Sequence, residues 1–157
     1  MNMIYRIINK MLRLCYQAMH PGLWHKNIGV YGIPNIHSYK NIRFGKYCTI
    51  NPNVYIQGSG GVFLGDYVTL SRDVKILTVG IDTTGYKDSC LSPVRLHKLQ
   101  QVNISEGVWL GAGAMVMPGV TIAPRIIVAA GAVVTHNLDK EGWLYAGVPA
   151  KPIRELK

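Results

Sequence analysis

The sequence predicts an all-β fold, a parallel β-helix of hexapeptide repeats, and two observations predict it. Aliphatic side chains recur every six residues, in one column at Ile104, Leu110, Val116, Ile122, Val128 and Val134 and in a second column at Val102, Val108, Ala114, Val120, Ile126 and Ala132. Because the second column lies two residues before the first, each pair of side chains points inward from one short strand. Glycine, proline, asparagine and serine residues between the pairs turn the chain. Such repeats stack into a solenoid with one continuous core.

The same columns extend toward the N-terminus. Ile36, Ile42, Cys48 and Val54 fall on one column, while Phe44, Ile50 and Ile56 fall on the other. Residues 58–61, all glycine except for one serine, add two residues to the period, and the columns resume at Val62 and Leu64. Glycine suits this place because a bulge needs a positive φ. We therefore predict one domain whose β-helix covers residues 28–137 in about four coils, at roughly three hexads to a coil.

Residues 3–19 have the pattern of an amphipathic helix. One side carries Ile4, Ile8, Met11, Leu12, Cys15 and Met19, and the opposite side carries Arg6, Lys10 and Arg13. Pro21 and Gly22 end the helix. Two interpretations remain open for residues 1–27. The helix caps the open end of the solenoid or packs on a neighbouring subunit, or residues 1–20 rest on the inner face of the membrane as a basic amphipathic helix.

The repeat is interrupted between residues 77 and 101 and ends after Val134. The interruption contains Gly80, Asp82, Gly85 and Tyr86 but neither column, so we predict an outward loop. A long loop inside a strict repeat is more often functional than accidental. Residues 138–157 form a tail, in which we expect the segment around Trp143 to cover the last coil.

Charge and cysteine content exclude several classes of protein. The net charge is +9, but the 17 Lys and Arg residues form neither a run nor a nucleic-acid motif, so we predict no nucleic-acid partner. The three cysteines lack CxxC spacing, which indicates neither a disulfide framework nor a zinc site. Cys48 is predicted to be a buried thiol. No apolar stretch reaches the ~18 residues of a membrane span, and a secretory cleavage site is not seen. We therefore expect a cytoplasmic protein.

Residues 108–113 (VWLGAG) and 146–152 (AGVPAKP) carry a specific resemblance. They resemble the hexapeptide-repeat acyltransferases, and within them the maltose, galactoside and polysaccharide O-acetyltransferases, over residues 28–157. The resemblance implies a left-handed coil and a homotrimer. It also implies transfer of an acetyl group from acetyl-CoA to a sugar hydroxyl, in capsule, exopolysaccharide or lipopolysaccharide biosynthesis.

That reaction needs a base to remove the proton of the hydroxyl, and histidine suits the task. In the family, the histidine base follows a segment like 76–80, at the position that Ile81 occupies here. Isoleucine cannot accept a proton, so three explanations stay open. His97, at the far end of the same loop, supplies the base; Asp82 acts as the base; or the chain is a non-catalytic family member that keeps the scaffold. An N-acetyltransferase acting on an amino sugar is a further alternative.

The resemblance also implies where ligands bind. Small residues near the last coils let the pantetheine arm of CoA approach, although tight turns explain the same small residues. The implied CoA contacts are Gly111, Ala112, Ala130, Thr135 and His136, with Lys151 and Arg154 for the phosphates. Trp109 points outward between the inward Val108 and Leu110, and it lines either the CoA groove or a contact between subunits of the trimer. Asp82 and Tyr86 are candidate contacts to the acceptor because they lie in the loop.

The remaining histidines indicate no further site. His20, His25 and His37 are predicted to be surface or packing residues. The five histidines lack the spacing of a three-histidine zinc site, so no metal is predicted.

Overall fold

The computed structural model describes residues 3–91 and 94–157, without the side chains of residues 4–6, 24 and 89. The stripe residue Ile4 and the cation Arg6 are thereby outside the described side chains. Short parallel strands stack into three sheets, and the chain enters the first, second and third sheet in turn. The three sheets form the faces of a prism. The predicted parallel β-helix is confirmed.

Strands and helices are numbered along the chain. The first face contains β1 (Gly29–Val30), β4 (Thr49–Ile50), β7 (Thr69–Leu70), β12 (Trp109–Leu110), β15 (Ile127–Val128), β17 (Trp143–Ala146) and β18 (Lys151–Glu155). The second contains β2 (Asn35–His37), β5 (Tyr55–Gln57), β8 (Lys75–Ile76), β13 (Met115–Val116) and β16 (Val133–Val134). The third contains β3 (Ile42–Phe44), β6 (Val62–Leu64), β11 (Val102–Ile104) and β14 (Thr121–Ile122). Outside the prism lie α1 (Met3–Met19), α2 (Pro21–His25), β9 (Val79–Ile81), α3 (Tyr86–Ser89) and β10 (His97–Leu99).

The core consists of the two predicted columns. Every column residue from Val102 to Val134 is buried, and so are Cys48 and Val54 in the earlier coils. Burial raises the pKa of the Cys48 thiol, which keeps it protonated, as expected of a buried thiol. Burial of one aliphatic side chain stabilises a fold by about 1.5–3 kcal/mol at most. The columns therefore stabilise the prism along its whole length.

The coils are not all the same length, and this corrects one assignment. Thr49 pairs with Thr69, but Trp109 pairs with Ile127, so an early coil takes 20 residues and a late coil 18. The position expected for Ile36, in one column with Ile42, is wrong. Ile36 pairs with Ile56, which belongs to the other column. The reason is that a 3₁₀ turn, Tyr39–Asn41, lengthens the first coil just as residues 58–61 lengthen the next.

The N-terminal helix forms as predicted, but its apolar stripe does not cap the solenoid. Leu23 of α2 and Ile28 are buried at the open end instead. Met11, Leu12 and Met19 of the stripe are exposed. The stripe thus stays exposed, while capping of the open end by the helix as a whole and packing of the stripe on another subunit stay predictions.

The C-terminal tail extends the first face beyond residue 137. β17 adds a parallel strand next to β15, and β18 returns antiparallel to β17. Tyr145 and Ala150 are buried, whereas Trp143 is only partly buried. The tail therefore covers the last coil, mainly through Tyr145.

Candidate functional site

The predicted outward loop contains a β-hairpin that leaves the prism where the second face meets the third. β9 and β10 pair antiparallel, and His97 lies directly opposite Ile81. The amide of Asp82 donates to the carbonyl of Leu96 at 2.8 Å, so Asp82 and Leu96, the next pair along the hairpin, are a hydrogen-bonded pair. Ile81 and His97 then form a non-hydrogen-bonded pair, whose side chains share a face about 4.5–5.5 Å apart at Cβ. The imidazole therefore stands beside the position that the resemblance assigns to a histidine base.

The base of the hairpin is held by Thr78, whose side chain is fully buried. Its Oγ1 donates to the carbonyl of Gln57 at 2.6 Å and accepts the amide of Gly60 at 2.9 Å. The Gln57 side-chain oxygen accepts the amides of Thr78 and Val79 at 3.3 and 3.2 Å. A Cβ on Gly60 would lie 2.7 Å from the Thr78 carbonyl oxygen, so only glycine fits there. These contacts fix the direction in which the hairpin leaves the coil.

Asp82 is engaged within the loop itself. Its carboxylate accepts the amide of Thr84 at 2.9 Å. The backbone and side-chain hydrogen bonds from Thr84 lower the pKa of Asp82 below its ordinary value. A carboxylate with a lowered pKa is a weaker base. The geometry therefore favours a positioning role for Asp82 over proton abstraction.

Tyr86 begins the short helix α3 at the outer end of the loop. Gly85, which precedes it, has φ +64, a conformation that glycine adopts readily. The Tyr86 side chain is exposed, and so are the side chains of β10, His97 included. All three candidate loop residues thus belong to one projecting element.

A second group of predicted residues lies on the outer side of the first face. Trp109 pairs with Ile127, Ile127 with Leu144, and Leu144 with Arg154. Paired residues of neighbouring strands share a face, so the four form one row, which we call the outer row. At ~4.8 Å per strand, the row is about 14 Å long. Its Trp109 end is 51% exposed and donates Nε1–H to Ser71 Oγ at 2.8 Å.

The small residues lie at the corner between the first and second faces, next to the outer row. Ala112 and Ala130 are exposed there in successive coils, and the Gly131 amide donates to the Ala112 carbonyl at 2.8 Å. A Cβ on Gly111 would lie 2.6 Å from the backbone nitrogen of Ala130. Gly111 is therefore required by the stacking of two coils. Ala112 and Ala130, by contrast, leave a shallow surface beside the row.

Lys151, Thr135 and His136 complete the predicted set. Lys151 is exposed on β18. Thr135 and His136 follow β16 and are exposed at the corner of the second and third faces, where Oγ1 and Nδ1 lie 3.1 Å apart. The predicted residues thus form two groups. The hairpin, Thr135 and His136 lie at one corner, whereas the outer row, the small residues and Lys151 lie at the first face and its corner.

Other histidines have structural surroundings. The His20 ring stacks on Tyr16 at 4.4 Å, and the His37 ring lies 5.4 Å from that of Tyr55. Within residues 3–91 and 94–157, no group of three or more His, Cys, Asp or Glu side chains is placed to hold a metal ion. Over the same residues, no helix has the length and apolarity to cross a bilayer.

The sequence alone did not identify two features of the site. One is the anchor formed by Gln57 and Thr78, for which the available signal was a polar residue two positions after the column residue Ile76. The other is the register of the hairpin. The sequences of residues 78–81 and 97–100, on either side of the loop, were compatible with two paired strands. They did not determine which residue of one strand lies opposite which residue of the other.

Comparison with known proteins supports the resemblance. The family model described as bacterial transferase hexapeptide (six repeats) matches residues 101–136. The galactoside O-acetyltransferase of Lactococcus lactis is 33% identical over 121 residues, which is 74% of this chain and 54% of that protein. The galactoside O-acetyltransferase of Escherichia coli is 30% identical over 124 residues, 74% of this chain and 55% of that protein. The chain spans about half the length of these curated relatives.

Solved structures agree. A maltose O-acetyltransferase from Clostridium difficile superimposes with a TM-score of 0.76 at 26% identity, over 84% of this chain and 68% of that one. A hexapeptide-repeat acetyltransferase from Vibrio cholerae gives a TM-score of 0.74 at 27% identity, over 83% and 72%. That protein has also been solved in complex with acetyl coenzyme A. Repeats, relatives and architecture together show that the chain belongs to the hexapeptide-repeat acyltransferase superfamily.

Proposed function

We propose that the chain is an acetyl-CoA-dependent O-acetyltransferase that acts on a sugar hydroxyl and uses His97 as its base. One observation carries the proposal: His97 pairs with Ile81 across the hairpin. A histidine at position 97 instead of position 81 lies on the opposite strand of the hairpin, but its imidazole is close to the place where the family has its base. Relatives named as galactoside and maltose O-acetyltransferases support the reaction class.

In the proposed mechanism, His97 accepts the proton of the sugar hydroxyl at a ring nitrogen while the hydroxyl oxygen attacks the thioester carbonyl. The bond from carbonyl carbon to sulfur then breaks, and the imidazolium returns the proton to the leaving sulfur. General-base assistance of this kind contributes about 10²–10⁴-fold to the rate. Asp82 and Tyr86 contact the acceptor from the outer part of the loop, and Asp82 also holds the turn through Thr84.

The outer row and the neighbouring small residues are proposed to bind acetyl-CoA. Trp109 offers an exposed aromatic face, and Ala112 and Ala130 leave room for the pantetheine arm. Arg154, at the other end of the row, and Lys151 on the same strand supply cations for phosphates, and cations bind phosphate through charge-assisted hydrogen bonds. Gly111 serves mainly to let the coils stack, and Thr135 with His136 is proposed to contact CoA from the other corner.

The separation of the two groups supports a homotrimer. Within one chain, the hairpin and the outer row are divided by the second face of the prism. A complete site then needs the hairpin of one subunit beside the first face of the next. Three copies around an axis parallel to the prism satisfy this requirement three times, as expected for a closed ring of heterologous contacts. We further propose that the enzyme is cytoplasmic and acts in the biosynthesis of capsule, exopolysaccharide or lipopolysaccharide.

Thiol release from acetyl-CoA, measured with a panel of galactosides, maltose and amino sugars, tests the function. We expect release that depends on a hydroxyl acceptor. Release only with amino sugars would instead identify an N-acetyltransferase. Absence of release with every acceptor, together with CoA binding in calorimetry, would support the alternative that Ile81 raises, a family member that binds CoA without catalysis.

A further inference from the structure

The apolar side of α1 faces away from the β-helix. Its exposed members are Ile8, Met11, Leu12, Cys15 and Met19, and their spacing of three and four residues puts them on one side of the helix. Met11 and Met19 are 60% and 69% exposed. A continuous apolar surface of this kind marks an interaction site.

The polar side of α1 faces the body of the protein. Asn9, Arg13 and Tyr16 are partly buried. The Arg13 guanidinium donates to the carbonyl of Tyr31 at 3.5 Å, and the Tyr16 ring stacks on His20. Because these contacts seat the helix with its polar side inward, the apolar side is directed outward toward a partner.

Charge indicates what the partner is. Residues 1–65 contain neither Asp nor Glu, and the first acidic residue of the chain is Asp66. Exposed cations of this segment are Lys10, Lys26, Lys40, Arg43 and Lys46. A second copy docking through the same end would bring like charges together with no carboxylate from residues 1–65 to neutralise them. An anionic lipid surface supplies both an apolar layer and negative charge.

We propose that α1 docks the protein on an anionic membrane surface. The helix lies in the plane of the bilayer with Met11 and Leu12 at the boundary of the acyl chains, and exposed cations of residues 1–65 contact lipid phosphates. Seventeen residues give a helix of about 25 Å, which lies flat rather than spanning. The proposal is independent of acetyl transfer, since it uses none of the residues proposed for that reaction.

Flotation of the full chain with vesicles tests the proposal. Vesicles of phosphatidylcholine with phosphatidylglycerol are compared with vesicles of phosphatidylcholine alone. We expect binding to the anionic vesicles only, reversed by high salt. Met11→Glu should weaken binding by at least about tenfold, because it removes an apolar contact and adds a charge within the lipid boundary. The matched control, Gln17→Glu, adds the same charge on the partly buried side and should keep most of the binding.

Met19→Glu, at the far end of the same apolar side, is a second test should Met11→Glu fold poorly by circular dichroism. Equal binding of wild type and both apolar-side variants would overturn the proposal, as would no binding of wild type to anionic vesicles. Sedimentation velocity without vesicles then measures the number of subunits in the assembly for wild type and for Met11→Glu. Loss of subunits on Met11→Glu would mean that another copy covers the helix, which also overturns the proposal. Thiol release with a soluble acceptor should be the same for wild type and variants.

Discussion

The coil and the hairpin that projects from it are built on opposite principles. Along the coil, buried aliphatic columns and strand pairs between successive layers determine the structure. In the hairpin, the side chains of β10 are exposed, and among the described residues β9 and β10 form a two-stranded sheet of their own. Side-chain burial therefore holds the coil, whereas backbone pairing and the Thr78 anchor hold the hairpin. Substitutions in the coil should change stability, and substitutions in the hairpin should change chemistry.

The largest expected effect tests the chemical half of this comparison. His97→Ala should lower kcat/KM by about 10²–10⁴-fold, since the proposed base is lost, while Tm stays unchanged because the side chain is exposed. The matched control is Leu99→Ala, the next exposed residue on the same side of β10, which has no titratable group and should keep kcat/KM. Turnover by His97→Ala at the wild-type rate would remove His97 from the mechanism.

An exchange variant sharpens that result. In Ile81→His combined with His97→Ile, the imidazole moves to the opposite strand of the same pair. We expect this double variant to recover at least about tenfold in kcat/KM over His97→Ala, because Cβ atoms of such a pair are only ~5 Å apart. If the double variant is as inactive as His97→Ala, an imidazole at position 81 cannot replace the imidazole at position 97, although the two residues are paired.

The stability half of the comparison is tested in the coil. Leu110→Ala removes a fully buried side chain between the layers of Leu70 and Val128. We expect a loss of about 2–5 kcal/mol in the free energy of unfolding, measured by urea denaturation. Leu99→Ala, an exposed leucine of the hairpin, should change the free energy of unfolding by no more than ~0.5 kcal/mol. Similar losses for the two variants would contradict the proposed division.

The same division explains what could be predicted from the sequence. Aliphatic side chains that recur every six residues need a common core, so the columns predicted the parallel coil. The period does not determine the handedness of the coil, and the left-handed sense was therefore taken from the family resemblance. Ile36 marks the limit: residues 38–41 lengthen a coil without the glycines that revealed residues 58–61. The described residues of β9 and β10 belong to no buried column. The register of the hairpin depends on backbone pairing across a loop, which is why His97 could be named as a candidate but not placed opposite Ile81.

The junction between the two regions should give an intermediate effect. Thr78→Val leaves the carbonyl of Gln57 and the amide of Gly60 without the hydroxyl that now bonds both. We expect a loss of about 1–3 kcal/mol in the free energy of unfolding, together with reduced kcat/KM as the hairpin loses its direction. The matched control is Thr69→Val, on the partly exposed outer side of β7. It should leave the free energy of unfolding nearly unchanged. Full activity in Thr78→Val would show that the anchor does not position the hairpin.

The smallest expected effect concerns Asp82, where charge rather than burial acts. Its pKa is lowered in the folded protein by the hydrogen bonds from Thr84, so the ionised carboxylate stabilises the loop above the unfolded pKa of about 3.9. That contribution is lost as the pH falls through the folded pKa. Asp82→Asn should therefore lower kcat/KM by less than about tenfold at neutral pH, because Asn still accepts the Thr84 amide. A carbon-13 titration of the Asp82 carboxyl should have its midpoint below the ordinary value. A midpoint above it, with a loss of activity as large as that of His97→Ala, would make Asp82 the base and His97 its neighbour.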